Sequence, residues 1–231
     1  MMRAGALCLA LVPAPAMADF TESNLLAIFY HELGHAVIHQ MDVPIFGQEE
    51  DAADALSILL IDALYEAEDA EVIAYDSANL FWAEAQNEPA FWDTHGPDEQ
   101  RYFNTVCLFY GADPDGREEF AQDLELPEER AEGCEDEFAL AADSWHSVLD
   151  GMSAKSGLTG QLVLNGSVAM ELISHEIKAL NAEFKWPRNI TVTLESCDEA
   201  NAFYDLDAQS ITMCTELVDW LDGIATQIAV D

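Results

Sequence analysis

The sequence predicts an α+β fold that is mainly helical, with a small strand-containing segment at its C-terminal end. Three observations lead there. Apolar residues recur at helical spacing through most of residues 20–149. Alternation of β-branched residues is confined to the tail, at residues 190–194 (ITVTL) and 209–214 (QSITMC). Half of the 231 residues are apolar, which is enough for a core and too many for a disordered chain.

The elements follow in order. Residues 22–40 read as a helix, with Leu25, Leu26, Ile28, Phe29, Leu33, Ala36 and Val37 near helical spacing and Thr21 or Ser23 as the cap. Residues 41–47 (MDVPIFG) hold a proline and a glycine and read as a loop. Helices are expected at 49–67, 71–88, 98–110, 117–124 and 134–149, with a break over 87–97 and a turn at 113–116 (DPDG). Residues 153–160 are small and polar, a candidate linker. Residues 167–184 form a further helix, 204–207 (YDLD) a turn between the two strands, and 215–228 a final helix. The expected division is a helical core over 19–152 and an α+β segment over 153–231 packed against it.

Residues 1–18 (MMRAGALCLALVPAPAMA) are set apart from the fold. One early positive charge, an apolar stretch and Ala16-Met17-Ala18 make a secretory signal peptide cleaved after Ala18, so the chain is expected to be secreted or periplasmic. The apolar stretch is too short to span a bilayer, which takes ~20 residues. Cys8 does not directly follow the cut, so no lipid anchor is read. Beyond the leader lie Cys107, Cys134, Cys197 and Cys214, an even set that suits two disulfides in an exported protein. Three connectivities are open; the local pairing Cys107–Cys134 and Cys197–Cys214 is expected. Acidic residues number 45 against 8 basic ones, a net charge of −37. That balance excludes a nucleic-acid partner, which needs a basic footprint, and opposes docking to anionic lipid. The dispersed acids read as a solvated shell.

The chemistry concentrates at His31-Glu32-Leu33-Gly34-His35. Two histidines four apart on a helix share one face, one turn apart, and can hold one ion. Glu32, one step round, can act as general base toward water on a zinc ion without being a ligand. Gly34 leaves room for another segment to approach closely. The next helix opens with Glu49-Glu50-Asp51-Ala52-Ala53-Asp54. Folded back by the loop at Pro44, it offers Glu50 as the third zinc ligand and Asp54 as hydrogen-bond acceptor for a ligand imidazole. The competing role for Glu50 is to stabilise the helix start, where acids are favoured.

HELGHAVI followed by PIFGQEEDAAD resembles the DUF4344 family of metallopeptidase-like proteins in the zincin group. The resemblance extends through WDTHGPDEQRYFNTVCLFYGADP (Trp92–Pro114) and LPEERAEGCEDEF (Leu126–Phe138). The E-x-x-A-D element is similar to the third-ligand segment of other gluzincins. CDEANAFYD followed by ITMCTEL also resembles a family segment, one that in many members precedes the HExxH helix and here follows it. The resemblance implies a zincin-like domain, a single Zn²⁺ and a peptide or protein substrate.

His95, in the loop after Trp92, is a candidate electrophile or substrate contact, and Tyr204 a candidate oxyanion stabiliser. His39 is either a further nitrogen near the metal or a contact on the helix flank. Arg101 binds either a substrate carboxylate or a structural acid. His146 reads as core, His175-Glu176 as a helix-surface pair, and Asp113 and Asp115 lack the EF-hand pattern. The expected activity is zinc-dependent peptide hydrolysis with Glu32 as base. Two other classes share such a helix pair: an inactive zinc-binding or partner-binding homologue, and cytosolic regulatory zincins of the ImmA/IrrE type. Leader, paired cysteines and acidity speak against the last. Nothing in the sequence specifies an oligomeric state.

Overall fold

A computed structural model describes residues 19–166 and 171–229. The expected leader, residues 1–18, lies outside these, as do the first four residues of the helix expected at 167–184.

The HExxH helix is α1 (Phe20–Gln40), and it is buried on almost every side. Leu25, Leu26, Phe29, Tyr30, Leu33, Ala36 and Val37 are all within the core. A helix covered on nearly every side sits in the middle of the fold. Its cap is Asp19, not Thr21 or Ser23: the Asp19 carboxylate accepts from the Glu22 N–H at 2.9 Å. Helices α2 (Glu49–Leu64), α3 (Ala67–Glu84) and α4 (Asp98–Ala112) pack around it, followed by the short α5 (Glu118–Asp123) and α6 (Glu128–Ala131) and by α7 (Cys134–Gly151). The Cys107–Cys134 disulfide ties α4 to the start of α7. Gly111 lies one turn beyond Cys107, where an added Cβ would fall 2.1 Å from the Cys134 carbonyl oxygen, so this close crossing requires glycine.

The tail is β1 (Leu162–Asn165), α8 (Glu171–Glu183), β2 (Ile190–Glu195), β3 (Ala202–Asp205), β4 (Ser210–Cys214) and α9 (Glu216–Ile228). Its sheet runs in the order β1-β2-β4-β3. β1, β2 and β4 are parallel, and β3 is antiparallel to β4 with Tyr204 opposite Ile211. The second disulfide, Cys197–Cys214, closes the loop before β3 onto the end of β4. Both bridges follow the local pairing expected from the sequence.

Two strands were not expected. β1 is a four-residue edge strand of which only Leu162 is buried. The Asn181 side chain brackets it, accepting from Leu162 N–H at 2.9 Å and donating to Leu162 C=O at 2.8 Å. β3 takes in Tyr204 and Asp205, which the sequence suggested were a turn. The turn comes just after, because the Asp205 carboxylate accepts from the N–H groups of Asp207 and Ala208 at 2.9 and 2.8 Å.

The tail docks on α1 at both ends of that helix. Thr21 hydrogen-bonds Asp222 of α9 at 2.5 Å, and Gln40 accepts from the Arg188 N–H at 3.0 Å. Between them β3 lies along α1.

His146 is exposed rather than in the core, while its neighbour Trp145 is buried. The pair His175-Glu176 divides: His175 is exposed, and Glu176 is buried beneath the Tyr30 hydroxyl, which donates to it at 2.5 Å. Burial raises the Glu176 pKa, and hydrogen bonds from Tyr30 and Tyr65 offset this only in part. A carboxyl whose pKa is higher folded than unfolded stabilises the fold most below pH ~4.3, and this contribution is lost as pH rises through the folded value. Glu176→Gln therefore melts at a higher temperature than the parent at pH 8, with the difference shrinking toward pH 4. Parallel thermal melts across that range check this; a pH-independent difference contradicts it.

Candidate metal centre

His31 and His35 project from one face of α1, one turn apart, with ring centroids 4.8 Å apart. Their Nε2 atoms are 3.1 Å from each other. The first turn of α2 faces them because the two helices nearly touch: a Cβ on Gly34 would lie 2.9 Å from Ala53 Cα. Glu50 is one turn before Ala53, and its Oε2 is 3.2 Å from His31 Nε2 and 3.1 Å from His35 Nε2. Three donor atoms thus form a nearly equilateral triangle. Donors on a tetrahedral zinc with bonds of ~2.0–2.1 Å stand about 3.3 Å apart, so the triangle fits one face of that geometry. His95, from the loop between α3 and α4, brings its Nε2 to 3.0 Å from Glu50 Oε2 and stacks its ring over His31. His31, Glu50 and His95 also lie close enough together to hold one ion, so the cluster offers four side chains for three or four positions.

The far nitrogens of both helix histidines meet carboxylates. His31 Nδ1 is 2.7 Å from Asp54 Oδ1, and His35 Nδ1 is 2.8 Å from Glu49 Oε1. A proton on each Nδ1 leaves the Nε2 lone pairs turned toward Glu50, the tautomer a metal needs. Asp54 is in turn gripped by Arg101, Nε to Oδ2 at 2.8 Å and Nη2 to Oδ1 at 2.9 Å. The Arg101 guanidinium lies over the Phe81 ring, 4.1 Å from its centroid.

The electrostatics favour a cation. Burial works against charging His31, yet hydrogen bonds with Asp54 and Glu50 lift its pKa to about 9. His35 is raised as well, its burial outweighed by Glu50 and Glu49. Hydrogen bonds with His31, His35 and His95 hold the Glu50 carboxyl far below the usual range. Burial would raise Asp54, but Arg101 and His31 bring it well below the usual range too. The acidic frame that raises the imidazole pKa values also suits a divalent ion.

The cluster opens into a cavity of about 1360 Å³ whose wall includes Glu32, His39, Arg101 and Tyr204. Glu32 is only 7% exposed. Its pKa is raised by burial, while the neighbouring imidazoles and the Tyr204 backbone N–H pull it back. The Tyr204 hydroxyl is 2.9 Å from His39 Nδ1, which makes His39 a contact on the helix flank.

A family model described as "Putative metallopeptidase", DUF4344, matches residues 14–149 and 159–229, most of the chain. The protein belongs to the DUF4344 family. No curated protein and no solved structure matches it.

In this DUF4344 protein two supporting side chains escaped the sequence reading. Glu49 was given no role in the sequence reading, yet it is the carboxylate on His35. Its signal was the need of each helix histidine for its own acceptor. Arg101 was read as binding either a substrate carboxylate or a structural acid, and nothing in the sequence indicated that the acid is Asp54. The chain Arg101–Asp54–His31 implies that Asp54→Ala lowers affinity for a divalent metal by about ten- to hundredfold. Competition against a chromophoric chelator measures this, and an unchanged affinity contradicts the role given to Asp54.

Proposed function

We propose that the protein is an exported zinc-dependent peptidase. The observation that carries this reading is the triangle of His31 Nε2, His35 Nε2 and Glu50 Oε2 beside the buried carboxylate of Glu32. His31, His35 and Glu50 would hold the ion, with Asp54 and Glu49 fixing the two imidazoles. Zinc held there supplies Lewis acidity, polarising a peptide carbonyl and making water acidic near neutral pH.

The remaining work falls to this chain's own residues. Glu32 takes the proton from the attacking water and passes it to the departing amine. Its raised pKa suits both directions of that transfer. His95 sits on a loop at the open side of the cluster, where its ring can donate to the carbonyl oxygen as charge develops. Tyr204, whose hydroxyl is held by His39, offers a second donor on the β3 side. β3 is an outer strand of the sheet, so an extended peptide can pair with its free edge while its scissile bond crosses α1.

Two disulfides support an oxidising compartment, in line with a cleaved leader ending at Ala18. No helix among the described residues is long and apolar enough to cross a membrane. A peptide or protein substrate, and no nucleic acid, suits a chain of charge −37.

Screening on denatured protein substrates, with metal analysis alongside, tests the mechanism. Glu32→Gln retains stoichiometric zinc but loses at least about hundredfold in turnover. Glu50→Ala loses zinc to a chelator that the parent resists. Full activity in Glu32→Gln refutes the assigned base, and tight zinc in Glu50→Ala transfers the third position to His95.

A further inference from the structure

The metal cluster sits midway along a groove that follows one face of α1. Asn24, Ile28, His31, His35, His39 and Asp42 all line it, recurring every three or four residues as a single helix face requires. The two ends differ. Beyond His35 the wall mixes polar groups (His39, Asp42 and Gln48) with Phe203 and Leu206, which are 41% and 56% exposed. Before His31 the wall is apolar and drawn from four helices: Ala27 and Ile28 of α1, Ile58 of α2, Leu80 and Phe81 of α3, and Trp220 of α9. The tail thus closes this compartment, with α9 fastened to the start of α1 through Asp222 and Thr21.

The polar groups before His31 are already committed. Ser57 Oγ donates to the Ala27 carbonyl at 2.9 Å, and Ser77 Oγ to the Ile73 carbonyl at 2.7 Å. Asn24, at the closed end, donates to the Phe20 and Asp76 carbonyls, and its unpaired Oδ1 has next to no surface for an occupant to touch. The charged groups of the wall stay at the metal end, where Arg101 grips Asp54 and Glu84 lies in the field of Arg101 and His95. A polar side chain entering the compartment would lose its water and gain no partner. An apolar one has no hydrogen bond to lose, and it covers the half-buried faces of Ile28, Phe81 and Trp220.

The reach fits as well. Ala27 and Ile28 precede His31 by one helical turn, about 5 Å along the axis. One large side chain covers that distance from a residue beside a bond held over the metal. We propose that the compartment before His31 is the specificity subsite of the cleft, taking a large apolar side chain from the residue next to the cleaved bond. This subsite rests on the peptidase reading for the identity of its ligand, but the recognition is measured by binding alone.

The test uses end-labelled, blocked glycine–serine peptides with one central leucine, alanine or asparagine, the last matching leucine in shape but not in polarity. Fluorescence anisotropy measures their binding to the zinc-loaded mature chain carrying Glu32→Gln, and mass spectrometry verifies that they stay intact. The leucine peptide binds at least about tenfold tighter than the other two, as burial of one apolar side chain requires. Ala27→Phe fills the compartment and removes the preference. Trp220→Ala opens its wall from the half-buried α9 side and weakens the preference, which keeps the proposal testable if Ala27→Phe does not fold. Leu206→Ala, at the other end of the groove, leaves it intact. Equal affinities for the three peptides overturn the proposal, as does a preference untouched by the Ala27 and Trp220 substitutions or lost in Leu206→Ala. Discrimination through this compartment in a parent chain that turns over none of the peptides supports the subsite and counts against the peptidase reading. Turnover without discrimination does the reverse.

Discussion

The metal cluster depends on the contact between Gly34 and Ala53. Packed helices ordinarily keep their axes 8–10 Å apart, according to the side chains between them. Here any side chain at position 34 would run into the α2 backbone. The missing Cβ lets the first turn of α2 come down onto the histidine face of α1, and Glu50, Asp54 and Glu49 arrive together. A larger residue at position 34 would push all three carboxylates away at once. Glycine inside HExxH thus sets the distance between the two halves of the site.

Charge is the second constraint. In a chain with 8 basic residues, three arginines pair with acids: Arg101 with Asp54, Arg117 with Asp62 and, at the surface, Arg130 with Glu137. Arg101 and Arg117 also lie over aromatic rings, of Phe81 and Phe109, where a planar cation is favoured. Arg101 connects the two themes. It holds Asp54 in the orientation His31 requires. The local excess of negative charge suits the cluster to a cation.

The parts of this arrangement that were legible in the sequence are those fixed by local spacing. Histidines four apart must share a helix face, and acids at the next helix start must face back if the loop is short. Both disulfides joined cysteines close in the chain. The rest depends on pairings made only in three dimensions. β1 and β3 have four residues each, too few to show a period, and β3 is defined by its register with β4. Asp19 outcompeted two other capping residues, a choice of one residue that propensity cannot make. Glu49 and Glu50 are adjacent and identical, so only the rotation of α2 against α1 decides which meets His31 and which meets His35 alone. Glu176 looked like a surface acid because its partners, Tyr30 and Tyr65, lie more than a hundred residues earlier in the chain.

The account turns on which side chains surround a single ion. Anomalous diffraction at the zinc edge, from crystals of the mature protein grown with zinc, addresses this directly. It should show one zinc bonded to Nε2 of His31, Nε2 of His35 and the Glu50 carboxylate, with metal–nitrogen distances of ~2.0–2.1 Å. A zinc ligated by His31, Glu50 and His95 with His35 outside the shell, or one bound away from the α1–α2 contact, would contradict it.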